Sequence, residues 1–317
     1  MSRLTKSPGT APALAASASL ALFLASWFLP VMGLMVTMFS QVPIILIYRI
    51  HGPGAGRTTA LMAIAGAVLV LSMLVSPMLA ISFAIHLLLG VILGEAPYWR
   101  IPEDKAIGLA TLLSVLAVIV VIVITAPNGG SGLEEAWSEY WDGITKTFLE
   151  VVSASGEDAA TRAKITEGFR QIGRLFFRLS PCVVIGSMLF MVWGNLVLAK
   201  ALLRRTQKVP LEEIPRLNTW KAPESLVWVL IASAILVLIS DGFWYWAWLN
   251  LLVILGLIYF FQGVAVAAYW LQKINAPHFL GIVFFSLLVL EYRLGLLVAA
   301  AGLFDMWLDF RRPKKST

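Results

Sequence analysis

Apolar residues recur in runs of about 17 to 30 positions from one end of the chain to the other, separated by short polar stretches. Coiled at about 1.5 Å per residue, runs of this length match the hydrocarbon thickness of a bilayer. Within them apolar side chains do not alternate with polar ones, as they would along the strands of a membrane barrel. Lipid offers no partner to a backbone amide, so such segments satisfy their hydrogen bonds internally, as helices. The pattern predicts an all-α, polytopic transmembrane helical bundle of about ten (8 to 10) membrane helices, near 11–29, 31–50, 59–76, 78–94, 105–126, 181–201, 224–240, 243–272, 278–290 and 293–309. The chain divides into N-terminal membrane helices (1–126), a polar insert (127–178), C-terminal membrane helices (179–312) and a basic tail (313–317).

Two stretches, 59–94 and 278–309, are long for one span and short for two. Read as hairpins turning at Ser76-Pro77 and at Glu291-Tyr292-Arg293, they put both termini on one side, together with 17 of the 24 Lys and Arg residues. The positive-inside tendency makes that side the cytoplasm, which predicts a multi-pass protein of the cytoplasmic (inner) membrane. Arg174 and Arg178, beside the sixth span, run against this orientation. Arg3 and Lys6 precede an apolar segment longer than the core of a signal peptide, and the segment is read as the first span.

The polar insert opens with Pro127-Asn128-Gly129-Gly130-Ser131-Gly132, which is turn chemistry. Ser131 and Glu134 have capping-box spacing, and Trp137, Trp141, Ile144 and Phe148 follow at three- and four-residue steps. A second helix after Ser155-Gly156 carries Ile165, Phe169, Ile172 and Phe176 on one face. Two readings of this short amphipathic insert on the outer side stay open. Its apolar faces lie on lipid with the tryptophans at headgroup depth, or they pack on each other as a hairpin.

Polar groups inside a span are costly and tend to face the bundle interior or a cavity, which makes them the first candidates for a site. His86, Asn195, Asn250 and Gln262 are the candidate substrate-binding residues. Each has a plainer reading as interhelical hydrogen bonding, as does Gln41. Gly90 and Gly94 follow His86 at the spacing that lets helices approach closely. Asp305 and Asp309 share a helix face and precede Arg311, which predicts a paired charge cluster at the inner membrane surface. Trp244, Trp246 and Trp248 read as an aromatic belt or as the wall of a cleft.

Composition narrows the function classes. Hydrophobic residues make up 59% of the 317 positions, charged residues 13%, and mean hydropathy is +0.85; soluble domains carry about 25% charged residues. The net charge of +6 lies in short clusters between apolar runs, which fits membrane orientation and not nucleic acid. The single cysteine, Cys182, reads as core packing. Phosphate-loop, zinc-protease, hydrolase-elbow, calcium-loop and dinucleotide fingerprints are missing, and no nucleophile has a visible base. The expectation is no enzyme, no catalytic residue, no metal and no cofactor. The glycine-rich stretch from His51 to Arg57 reads as a flexible cytoplasmic turn.

In the last third, Trp220-Lys221-Ala222-Pro223-Glu224, Asn250-Leu251-Leu252, Tyr259-Phe260-Phe261-Gln262-Gly263 and Gly302-Leu303-Phe304-Asp305-Met306-Trp307-Leu308-Asp309-Phe310-Arg311 carry a resemblance. The chain resembles the YybS-like family of bacterial multi-pass membrane proteins, a domain of unknown function. It is distantly similar to the substrate-binding subunits of energy-coupling-factor vitamin transporters and to MreD-type shape proteins. In those transporters the first span carries an Ala-x-x-x-Ala contact for the coupling subunit, and Ala21 and Ala25 hold that spacing here. The resemblance implies a module that binds or transports a small molecule whose identity is not legible, with a transporter subunit or other protein as possible partner beside the lipid bilayer. The alternative is a cell-envelope scaffold, docking partners or anionic lipid through its outer helices and the basic loop at 200–221.

Overall fold

The structure, a computed structural model, describes residues 10–74, 76–125, 132–153, 159–206 and 220–311. Among these, eleven helices and no strand are found: α1 (Thr10–Phe28), α2 (Pro30–Thr37), α3 (Val42–Leu74), α4 (Pro77–Glu95), α5 (Glu103–Thr125), α6 (Leu133–Ser153), α7 (Ala159–Thr206), α8 (Ser225–Ile239), α9 (Gly242–Lys273), α10 (His278–Leu290) and α11 (Tyr292–Leu308). They fall into two compact units. One comprises 1–116, 186–224 and 257–317; the other comprises 117–185 and 225–256.

In the first unit α3 packs on α1 and α4 around Phe23, Ile44, Tyr48, Leu71, Phe83 and Leu87. The close-approach face of α4 does what its spacing predicts: Gly90 sits tightly on Gln41, and Gly94 sits on the ring of Tyr48, where a side chain would collide. Between α3 and α4 the chain turns at the expected dipeptide. The Ser76 hydroxyl accepts the Met78 N–H at 3.2 Å and Pro77 occupies the first helical position.

Three expected elements differ. The predicted helix 31–50 is divided into α2 and the first part of α3, and the segment read as a flexible turn holds a kink, so that α3 is two helical stretches on either side of Gly52. Only Gly52 is non-helical there, at φ 85° and ψ 176°, a conformation that a residue without Cβ adopts freely. The second helix of the polar insert is not separate from the sixth span: α7 continues for 48 residues, about 72 Å, through Pro181. The last two helices do not fold back as a hairpin. They bend by 103° about Glu291, whose carboxylate accepts the Arg293 N–H at 3.2 Å and caps α11.

Among the described residues, five stretches are long and apolar enough to cross a membrane: Met35–Met73, Pro77–Glu95, Glu103–Ile124, Ala163–Thr206 and Gly242–Lys273. The bent pair makes a sixth, and Thr10–Ser26 and Ser225–Ile239 are shorter apolar helices. The class is the helical membrane bundle that the apolar runs predict. The predicted spans 31–50 and 59–76 lie on either side of the Gly52 kink within Met35–Met73, and other predicted spans are short.

In the second unit the apolar face of α6 meets protein. The indole N–H of Trp137 donates to the Gly173 carbonyl at 2.9 Å and that of Trp141 to the Phe169 carbonyl at 2.7 Å. The Trp141 ring fills the space that a side chain at position 173 would occupy. These pairs run in opposite directions along the chain, so α6 and the first half of α7 form an antiparallel hairpin. Trp244, in the other segment of this unit, is exposed and stacks on Trp248. The turn at 127–131, the Ser155-Gly156 step, most of the 200–221 loop and the two chain ends lie outside the described residues.

Candidate functional site

A proline inside a helix leaves the carbonyl four residues earlier without its partner and pushes the turn open. At Pro181 the gap is filled from α9. Asn250 Oδ1 accepts the Cys182 N–H at 2.8 Å, and its Nδ2 donates to the Arg178 carbonyl at 2.9 Å. In an uninterrupted helix those two backbone groups bond each other, so one amide side chain is inserted into a single hydrogen bond. The Ser180 hydroxyl donates to the Phe177 carbonyl at 2.8 Å, the group that Pro181 strands. Asn250 thereby holds α7 together; Cys182 is buried beside it.

Gln262 and Asp305 meet where α9 and α11 cross in the first unit. Gly302 lies against the Tyr259 carbonyl and the backbone of Gly263, and any side chain there would collide with main chain. That approach brings Gln262 Nε2 to 3.1 Å from Asp305 Oδ2, while Gln262 Oε1 accepts the Ala222 N–H at 3.0 Å. Beyond α11 the chain reverses at Asp309, a left-handed cap at φ 43°, and returns Arg311 to Asp305 at 2.5 Å. Arg311 also donates to the Trp220 carbonyl at 2.7 Å, and Asp305 Oδ1 accepts the Phe310 N–H at 3.0 Å. Asp309 pairs separately with Lys221 at 2.8 Å. Asp305 is fully buried within the protein. Every partner of this carboxylate fixes the short segment 220–222 and the chain after α11 onto two helices, which is the work of a clasp.

Asn195 donates from Nδ2 to the carbonyls of Met38 (2.6 Å) and Met191 (2.7 Å), pinning α7 to the turn between α2 and α3. His86 Nδ1 lies 2.7 Å from the Ser82 carbonyl, with its ring edge-on to Phe23. The four candidate substrate-binding residues are each engaged within their own surroundings, and none lines any of the cavities described below. Glu95 and Glu103 stand out only in the structure. Glu95, nearly buried, receives Arg57 through two bonds of 2.6 and 3.1 Å, and Glu103 pairs with buried Lys200.

Lys200 also belongs to the most site-like feature of the first unit, a groove of about 790 Å³ walled by α7, α9 and α10. Trp193 stacks on Phe261 at 5.0 Å and Gly186 approaches Leu257, so α7 and α9 run parallel here. One end is apolar, with Phe190, Trp193 and Phe260; the other carries Lys200, Arg204 and Gln272. The volume falls within the range of small-molecule pockets. The sequence holds a partial signal for it: Lys200 and Arg204 are four apart and so share a face, at the end of a helix that is apolar before them. A second cavity of about 920 Å³ is shaped by the turn at Asn275-Ala276-Pro277 and shares Ala268, Gln272 and Phe285 with the groove. A third, in the other unit, lies along the charged edge of the α6–α7 hairpin.

Fold and composition together define an integral membrane protein of the helical-bundle class. The chain belongs to the family described as predicted membrane protein (DUF2232), whose model matches residues 17–306. No curated protein and no solved structure matches it.

Proposed function

We propose that this protein is a small-molecule binding or transport module of the cytoplasmic membrane, with both termini inside and no catalytic chemistry of its own. The observation that carries this reading is the groove between α7, α9 and α10, whose walls are apolar along most of their length and whose one end is cationic. A few polar groups at the edge of an apolar cavity is how ligand sites orient what they hold. The distribution of Lys and Arg along the chain supports the orientation. The likeness of the C-terminal motifs to a YybS-like family, and more distantly to substrate-binding subunits of energy-coupling-factor transporters and MreD-type proteins, supports the class. On this reading the binding residues are those of the groove, while Asn195, Asn250 and Gln262 hold helices in register.

Native mass spectrometry of the full chain, released from mild detergent, tests the proposal. A small molecule retained at fixed stoichiometry is the expected result. A protein partner at fixed stoichiometry with no small molecule would favour the scaffold alternative and overturn the binding role.

A further inference from the structure

The α6–α7 hairpin has two unlike sides. On one of them Arg170 donates to Asp142 at 3.4 Å, and the charged cavity runs along that edge. The opposite side carries Tyr140 and Ile144 on α6, with Ile172 and Phe176 on α7, at the four-residue steps that share a helix face. Tyr140 is 63% exposed, Ile172 44% and Phe176 48%, so these side chains stand largely uncovered. Gly143 and Gly168 belong to the same side, and nothing lies within 4 Å of the space a side chain would take at either. The bonds from Trp137 to Gly173 and from Trp141 to Phe169 fix the register of the two helices, and that register sets Gly143 and Gly168 at one level.

Small residues and charge decide what such a side can meet. A glycine offers hydrocarbon tails no side chain to pack against, whereas another helix can cross it closely. Charge then selects the helix. Five carboxylates and one lysine lie on α6, while α7 as far as Arg178 carries five cations and one carboxylate. A second copy, turned by 180° about the long axis of the hairpin, meets the first face to face with its α6 beside the first copy's α7. Acidic helix then faces basic helix twice over, all neighbours are antiparallel, and Gly143 faces the partner's Gly168. At the rim, Glu150 comes within about one helical turn of the partner's Lys164 along the axis, which two long side chains can span. Among the described residues neither Glu150 nor Lys164 has an ion-pair partner in its own chain.

We infer that the uncovered side of the α6–α7 hairpin is a dimerisation surface whose occupant is a second copy of this chain, the two hairpins forming a four-helix bundle about a two-fold axis. The inference is independent of the groove and of the binding role proposed above.

The test uses the full-length chain reconstituted in liposomes, with the buried Cys182 left in place. Two differently tagged forms, Gly143→Cys and Gly168→Cys, are mixed and oxidised. A disulfide-linked dimer bearing both tags is expected, with about one tenth as much or less from either form alone, because like positions lie diagonally across the bundle and beyond the reach of a disulfide. Charge is read separately in single-molecule photobleaching counts. Glu150→Lys and Lys164→Glu should each weaken dimerisation about fivefold, and the chain carrying both should return to within about twofold of the natural affinity. That recovery separates a pairing across the interface from damage to the fold. A monomer at all densities, or a double exchange no better than the singles, would overturn the inference. So would cross-linking of Gly143→Cys to itself as strong as to Gly168→Cys. Two further results would assign the surface elsewhere and overturn it as well. One is quenching of a fluorophore on Ile172→Cys by spin-labelled lipid as strong as at Ile119→Cys, an exposed position in the apolar stretch of α5. The other is cross-linking of Gly168→Cys in native membranes to a different protein in place of a second copy.

Discussion

Among the described residues, two helices carry a proline well inside their length, and they answer it in opposite ways. In α3, Pro53 follows Gly52, whose φ of 85° and ψ of 176° lie where only glycine is comfortable, and nothing approaches within 4 Å of the space a Cβ would take. The helix stops for one residue and restarts, with Pro53 at the opening of the second half, where its missing N–H costs little. In α7, Pro181 has no glycine before it. The helix continues, because Asn250 supplies an acceptor for Cys182 and a donor for Arg178. The effect of a proline inside a membrane helix is thus decided by where the freed backbone groups find partners. A local glycine lets the chain reorient; a distant amide lets it go on.

The comparison can be broken most severely at Asn250. Asn250→Leu leaves the Cys182 N–H and the Arg178 carbonyl buried without their partners, at about 1 to 3 kcal/mol each. We expect a loss of about 3 kcal/mol in reversible unfolding by mixed micelles; a loss below about 1 kcal/mol would show that the amide is dispensable.

Gly52→Val should come next. It forces a β-branched residue into the left-handed region at a cost of about 1 to 3 kcal/mol, with no gain in packing because the surrounding space is empty. An unfolding midpoint equal to that of the natural protein would show that the kink is not built into the fold.

A double-mutant cycle sharpens the contrast. With Pro181→Ala the helix can close its own hydrogen bonds, so Asn250→Leu should cost about 1 to 2 kcal/mol less in that background. Strict additivity of the two changes would mean that Asn250 does not act through the proline.

The smallest effect is expected at Pro53. Pro53→Ala should shift stability by less than about 1 kcal/mol, since proline at a helix start is neither crowded nor short of a bond. A shift several times larger in the same titration would place Pro53 inside a continuous helix.

Much of the architecture was legible because it depends on local sums. The length and polarity of the apolar runs announced membrane helices, and the Ser76-Pro77 step announced the turn before α4. The charge cluster was partly legible too: Asp305 and Arg311 are six apart, but Gln262, 43 residues before Asp305, enters only because Gly263 and Gly302 let two helices touch. The candidate binding residues were chosen for being polar in apolar surroundings. That criterion finds interhelical bonds as readily as ligands, and Asn195, Asn250 and Gln262 are all engaged in the former. Lys200 and Arg204 were passed over as ordinary cytoplasmic charges.

By itself, then, the amino-acid sequence determined the solvent: a chain this poor in charge and this rich in long apolar runs belongs in lipid, and lipid requires helices. It also determined where those helices can turn, through Ser, Pro and Gly at particular positions. Tertiary structure alone decided which polar groups meet. Asn250 reaches a gap 68 residues away, and the groove combines two charges on α7 with aromatic walls from α9 and α10. Such meetings depend on helix register and closest approach, which arise from packing between segments and are properties of no single one.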